Sequence, residues 1–243
     1  MAATKFREIA EHLVREITLL PPGSRIEGEH EVAARFGVGR AAARAALQEL
    51  ERRLLVCRVR GVGTFTARRI DYLVSPDQPP SWSRTVRAAH SRPRTVVRRC
   101  ETVPMPPEVA GPLGREPGSP CHRLQRRSFV DELPACWGTE WVPADVLPEL
   151  GVALGASDSL DRILRESAGA TPRRAWWRAA LECASAETAA ELGSRAGDPA
   201  WLVESLNEDV PSGRLLYLSH RWLRADTVRL VLETGGTPGP RPA

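Results

Sequence analysis

The sequence predicts an α+β chain of two domains, an N-terminal winged helix-turn-helix followed by a C-terminal antiparallel-sheet domain. Three observations predict it. Apolar residues recur at helical spacing over 5–20, 28–36 and 40–50, and a short β-type run with a glycine turn follows them. From residue 94 onward the pattern changes to strand-like runs joined by tight turns, with short helices between them. Charge divides at the same place: residues 1–70 hold 13 Lys and Arg against 8 Asp and Glu, and residues 71–243 hold 21 against 22. Positive charge gathered at one end is what a nucleic-acid module joined to a nearly neutral partner domain shows.

The first helix takes its inward face from Phe6, Ile9, Ala10, Leu13, Ile17 and Leu20, and Pro21-Pro22-Gly23 ends it. The second covers 28–36 with Val32, Ala33 and Phe36 inward, and Gly37-Val38 makes the turn. In the third, Ala43, Ala46, Leu47 and Leu50 share one face, while Arg40, Arg44 and Gln48 share another. A mostly alanine face lets this helix sit close to its neighbours. Two guanidiniums and an amide suit the DNA major groove, where Arg grips guanine in bidentate fashion and Gln can do the same for adenine. Residues 54–60 are β-type, Gly61-Val62-Gly63 turns them back, and Thr64-Phe65-Thr66 returns as the wing.

Residues 71–92 carry loop chemistry and a short helical stretch, and are expected to be a linker. Strand signals cover 94–103, 119–130, 134–142, 173–183, 199–210 and 214–224, and short helices fit 106–113, 158–168 and 185–193. The sheet domain is therefore expected over 93–233, followed by a disordered Gly- and Pro-rich tail over 234–243.

The five cysteines are odd in number and none has C-x-x-C spacing. With no signal peptide and no apolar run long enough to cross a bilayer, a reduced, cytoplasmic protein without metal or cofactor is expected. Cys121 and His122 would point to opposite faces of a strand, which is a poor start for a metal site. No nucleophile–base pair or carboxylate pair with a clear role marks an enzyme.

The stretch LPPGSRIEGEHEVAARFGVGRAAARAALQELERRLLVCRVRGVGTFTA resembles the DNA-binding domain of the GntR family of bacterial transcription regulators, over residues 5–68. VPMPPEVAGPLGREPGSP, DELPACWGTEWVP and SGRLLYLSHRWLRAD resemble the UTRA effector-binding domain of its HutC subfamily, a chorismate-lyase-like fold, over about 94–230. The resemblance implies a homodimer that binds an inverted-repeat operator in double-stranded DNA, most often as a repressor, and answers to a small-molecule effector. It places the DNA contacts at His30, Gly39, Arg40, Arg44 and Gly61, and Ala41 and Gln48 on the third helix complete the expected set. His30 stands where Arg is usual, Gly39 where Ser is usual, and Ala41 and Ala42 replace common Thr residues, so fewer side chains can grip phosphate.

For the effector, the resemblance points to Arg126 and Ser128 on the second strand, then Gly138, Arg178 and Tyr217, and Trp141 lies close to them in sequence. Ser128 takes the place of an expected second Arg, and Gly138 and Tyr217 take those of expected glutamates. The sugar-gripping carboxylates of phosphosugar-binding members are thus expected to be gone. With Trp137, Trp141, Trp176, Trp177 and Trp222 close by in sequence, an effector with an apolar or aromatic part and one acid group is expected. The alternative is a DNA-binding regulator whose C-terminal domain has lost its ligand.

Overall fold

The computed structural model describes residues 2–59, 62–67, 69–74 and 81–232. Gly61 of the wing and the tail over 234–243 lie outside them. The chain divides into two compact units, the bulk of the first lying in residues 2–69 and of the second in 70–224.

The first unit runs α1 (Ala2–Ile17), β1 (Arg25–Ile26), α2 (Glu29–Phe36), α3 (Arg40–Arg52), β2 (Val56–Val59) and β3 (Gly63–Thr66). The three strands form one sheet in the order β1-β3-β2. Its core is the set read from the sequence: Ile9, Ala10, Leu13, Ile17, Val32, Ala43, Ala46, Leu47 and Leu50, closed by Val56. Leu20, expected inward, is exposed. Helix α1 stops at Ile17, where the Thr18 hydroxyl bonds back to the Val14 carbonyl at 2.7 Å, so Leu20 falls in the turn beyond the helical face. The strand β1 is too short for a sequence pattern and is held through its pairing of Arg25 with Phe65.

The second unit runs β4 (Ile70–Val74), α4 (Trp82–Ala88), β5 (Pro93–Pro104), α5 (Pro107–Leu113), β6 (Pro120–Val130), β7 (Leu133–Pro143), α6 (Leu150–Ala153), α7 (Leu160–Ala168), β8 (Pro172–Cys183), α8 (Ala186–Leu192), β9 (Pro199–Asp209) and β10 (Leu215–Arg224); β11 (Val228–Leu232) ends the described chain. Six strands form an antiparallel sheet in the order β5-β6-β7-β10-β9-β8. Where a linker was expected over 71–92, Tyr72 and Val74 of β4 and Trp82 and Val86 of α4 are buried side chains. Alternation over so short a strand and two turns of helix was hidden among Pro, Ser and Asp.

The helix ends match their chemistry. Ser159 and Ser185 cap α7 and α8 through bonds from Arg162 N and Thr188 N, and Gly193 closes α8 in the left-handed conformation at φ 64°. The β6–β7 hairpin turns at Asp131, whose φ is 54° and whose carboxylate accepts the Arg92 N–H at 3.0 Å.

Candidate functional site

In the first unit, α2 and α3 meet at Gly37-Val38-Gly39. Gly37 is left-handed at φ 58°, and the Val38 N–H returns to the Ala33 carbonyl at 3.0 Å, so the chain reverses with its donors satisfied. Ala43, Ala46, Leu47 and Leu50 are fully buried on one side of α3. His30, Gly39, Arg40, Ala41, Arg44 and Gln48 are all exposed, on the first turn of α2 and the outer side of α3. Six of the residues expected to meet DNA are therefore exposed on α2, α3 and the turn between them, and the seventh, Gly61, lies outside the described residues.

The sequence reading missed Glu29. Its carboxylate accepts from Arg44 Nε at 3.2 and 3.3 Å and from Arg58 Nη1 at 3.2 Å. One carboxylate thus joins the outer face of α3 to the first strand of the β2–β3 hairpin. The signal was present as an acid directly before His30, but only the fold reveals which cations it meets. Gly39, the residue before α3, gives it no side-chain cap, and a Cβ there would meet nothing within 4 Å.

In the second unit, a cleft opens on one face of the sheet between β6, β7 and β10 and the starts of α4 and α7. Its lining includes Arg126, Ser128, Gly138, Glu140, Asp161 and Arg221, with Trp82 as its aromatic side chain, and its room is about 30 Å³, space for one or two waters. Arg126 and Glu140 form a two-pronged pair, Nη2 to Oε1 at 2.7 Å and Nε to Oε2 at 3.1 Å. Arg221 donates to the same Oε1 from Nη2 at 2.9 Å and from Nε at 3.2 Å. All three residues are less than 9% exposed. Burial alone would push the Glu140 carboxyl up, but the Arg126 and Arg221 guanidiniums overrule it and hold it below the usual carboxylate range.

Tyr72 of β4 completes the cluster. Its phenolic oxygen receives Arg174 Nη2 at 3.1 Å and Arg221 Nη1 at 3.4 Å. Burial raises a phenol, yet these two cations lower Tyr72 below its ordinary value. Beside them, the Thr95 and Ser128 hydroxyls lie 3.1 Å apart.

Of the expected effector residues, the fold brings Arg126, Ser128 and Gly138 to this cleft and places Trp141, Arg178 and Tyr217 elsewhere. Trp141 packs with Met105 and Leu113 under α5. Arg178 is an exposed side chain on β8, paired with Glu204. Tyr217 is 1% exposed inside the core formed with Leu124, Leu150 and Leu164. Gly138 and Tyr217 bring no carboxylate to the cleft, but Glu140 and Asp161, which the sequence reading did not name, line it. Gly138 is small for a local reason: a Cβ there would lie 2.9 Å from Arg221 Cγ and 2.9 Å from the His220 carbonyl oxygen. The space over Gly138 belongs to Arg221, and the carboxylate sits one same-face position further on. Trp137 and Trp222 pack against α8 rather than in the cleft.

Cys121 is buried beneath α5, and His122 is satisfied by the Thr102 hydroxyl at 3.1 Å and the Leu147 carbonyl at 2.9 Å. Among the described residues no group of three or more His, Cys, Asp or Glu side chains is placed to hold a metal ion. No described helix is long and apolar enough to cross a membrane.

Comparison with known proteins agrees with both units. The gntR family of bacterial regulatory proteins matches residues 5–66, and the UTRA domain matches residues 88–229. The HTH-type transcriptional regulator GgaR of Escherichia coli (strain K12) is 33% identical over 153 residues, covering 63% of this chain. The aligned part spans 60% of that relative's length. An uncharacterized HTH-type transcriptional regulator of Rhizobium meliloti (strain 1021), RB1450, is 28% identical with 96% of each chain covered. PhnF from Mycobacterium smegmatis shares the fold, with a TM-score of 0.65 and 23% identity over 94% of this chain and 100% of that one. The chain belongs to the UTRA-domain proteins, and its first unit carries the DNA-binding domain of the gntR family of bacterial regulatory proteins.

Proposed function

We propose that the protein is a homodimeric transcription regulator that reads an inverted-repeat operator with α3 and is released from it, as a repressor, when a small metabolite enters the UTRA cleft. What carries the reading is the shared exposure of His30, Gly39, Arg40, Ala41, Arg44 and Gln48 over a helix whose other side is fully buried. A helix so placed can enter the major groove, with Arg40 and Arg44 turned to base edges and the Gly39 N–H near phosphate. Two copies related by a twofold axis would address half-sites about one helical turn apart. GgaR and the Rhizobium relative bear the names of transcriptional regulators, which supports this role over an enzymatic one.

In the cleft, Arg126 and Arg221 are the groups an anionic effector would meet, and Trp82 is the aromatic wall beside them. The narrow room, filled by the Arg126–Glu140–Arg221 cluster, favours a second reading in which the C-terminal domain works without a ligand. The experiment is operator binding by fluorescence anisotropy, together with a melting-temperature screen of small organic acids and sugar phosphates. One compound that both raises Tm saturably and weakens DNA binding supports the first reading. Operator binding that no compound alters, with no stabilisation, supports the second. Failure to bind any operator from the flanking genomic DNA overturns both.

A further inference from the structure

Acidic neighbours occupy many of the arginines of the first unit. Glu16 and Glu27 hold Arg35, Glu11 and Glu49 hold Arg53, and Glu29 holds Arg44 and Arg58. Arg25 on β1 is different: it is exposed and pairs with no acid among the described residues. Its backbone is nevertheless fixed. The Gly23 N–H donates to the Thr66 carbonyl at 3.1 Å, the Ser24 N–H to the Thr66 hydroxyl at 2.9 Å, and the Thr66 N–H returns to the Ser24 carbonyl at 2.8 Å. Ile26, Thr64 and Arg58 form one row across β1, β3 and β2, and Ile26 packs on the helical core. The neighbouring row, with Arg25 opposite Phe65, therefore faces away from the helices. From there the Arg25 side chain leans along β3 towards the β2–β3 turn: a Cβ on Gly63 would lie 3.4 Å from Arg25 Nε and 3.7 Å from Phe65 Cε2. Gly63, at φ 147°, suits both the turn of the backbone and the guanidinium lying across it.

We propose that Arg25 is a further DNA-reading residue, a guanidinium that the wing carries into the minor groove beside the half-site read by α3, where it selects A·T pairs. The inference rests on the operator-binding reading above. An arm or hairpin beside a helix seated in the major groove can reach across the backbone to the adjoining minor groove. There A·T runs narrow the groove and deepen its negative potential, and a guanidinium, more weakly hydrated than an ammonium, enters more readily than Lys. Arg25 has what such an insertion needs: a fixed root, a free charged end, and no ion pair to break first. With His30, Gly39 and Ala41 giving α2 and α3 little grip on phosphate, this free cation carries a larger share of the binding.

The test uses the full chain and the fragment of flanking genomic DNA that it protects from nuclease. Two forms of that duplex, with the base pairs beside each half-site set to A·T or to G·C, are compared by fluorescence anisotropy. The native chain should favour the A·T form several-fold. Arg25→Ala should weaken binding to the A·T form about tenfold, abolish the preference, and lower the slope of log affinity against log salt by about 1. Arg25→Lys should restore the salt slope and not the preference. Neither change should move the urea midpoint, because the bonds that fix β1 do not involve this side chain. Arg40→Ala should weaken both forms alike and keep the preference. If Arg40→Ala weakens binding while Arg25→Ala alters neither affinity, slope nor preference, the inference falls and the operator-binding reading stands. Uniform weakening that Arg25→Lys repairs in full puts Arg25 on phosphate and overturns the minor-groove assignment. A native chain that protects no such fragment overturns the operator-binding reading, and this inference with it.

Discussion

Both units build the same small device, one glutamate between two arginines, in opposite surroundings. In the first unit Glu29 joins Arg44 and Arg58, and the Arg44 side chain is 61% exposed. In the second, Glu140 joins Arg126 and Arg221, and none of the three side chains exceeds 9% exposure. Water screens the Arg44 arm of the first, so that ion pair stabilises the fold by little and can open to another anion at small cost, while Glu29 and Arg58 are each 24% exposed. The second has surrendered its hydration, so each charge depends on the others being present. The same residues therefore make an exchangeable handle on α3 and a fixed keel in the cleft.

The largest effect should come from breaking the fixed device. Glu140→Gln leaves Arg126 and Arg221 buried without their counter-charge and should cost ~3–5 kcal/mol of unfolding free energy, read by urea denaturation. An amide in that place also removes a proton-linked contribution. Because the folded Glu140 carboxyl is held below its unfolded value near 4.3, its stabilisation is present above that pH and is lost as pH falls through the folded value. The acid limb of a Tm-against-pH curve should flatten in the variant. A loss under about 1 kcal/mol, comparable to an exposed pair, would erase the contrast between the two devices.

Next in size is the exchangeable side. Arg40→Ala and Arg44→Ala should each lower operator affinity by ~1–3 kcal/mol with relaxed base preference, measured by anisotropy against substituted operators. Neither should move the urea midpoint appreciably, because both side chains lie on the exposed face of α3. Equal losses of folding stability would mean that α3 is a structural helix first.

A smaller effect, of opposite sign, is expected at Gly39. Nothing lies within 4 Å of a Cβ there, and φ −69° suits any residue. Gly39→Ser should add a cap to α3 worth a few tenths of a kcal/mol and a hydroxyl able to reach phosphate. Operator affinity should rise a few-fold, with a steeper salt dependence.

The first unit was legible because helical period and burial coincide there: Ala43, Ala46, Leu47 and Leu50 were assigned inward by spacing alone and are fully buried. The exposed face followed by subtraction. The sheet domain was legible as strands and turns, since Gly193 and Asp131 sit where their backbone angles require a left-handed residue. Its cleft was only half legible. Arg126, Ser128 and Gly138 came from the resemblance to the UTRA domain, but Arg221 reaches them from β10, across a pairing that no local pattern announces. Trp82 and Tyr72 come from a stretch whose composition imitates a linker. Tyr217 shares the face of β10 that carries Arg221 four residues on, but at its own level that face is packed in the core with Leu124 rather than open to the cleft.

A small stability effect is expected at Glu29, and it is the one that separates a handle from a keel. Glu29→Gln keeps the shape and removes the charge, so the fold should lose no more than about 0.5 kcal/mol, a change near the resolution of a denaturation curve. DNA binding should respond in two ways at once. Losing a negative charge beside the binding face should strengthen binding to any DNA sequence and make it more salt-dependent. Losing the carboxylate that holds Arg44 Nε at 3.2 Å should free that side chain to leave its base-reading position. Affinity for random DNA should therefore rise while the ratio of operator to random affinity falls by several-fold. If the ratio is unchanged, Glu29 only screens charge. If both affinities collapse together with stability, the Glu29 pair belongs with the Glu140 cluster, and exposure is the wrong criterion for distinguishing them.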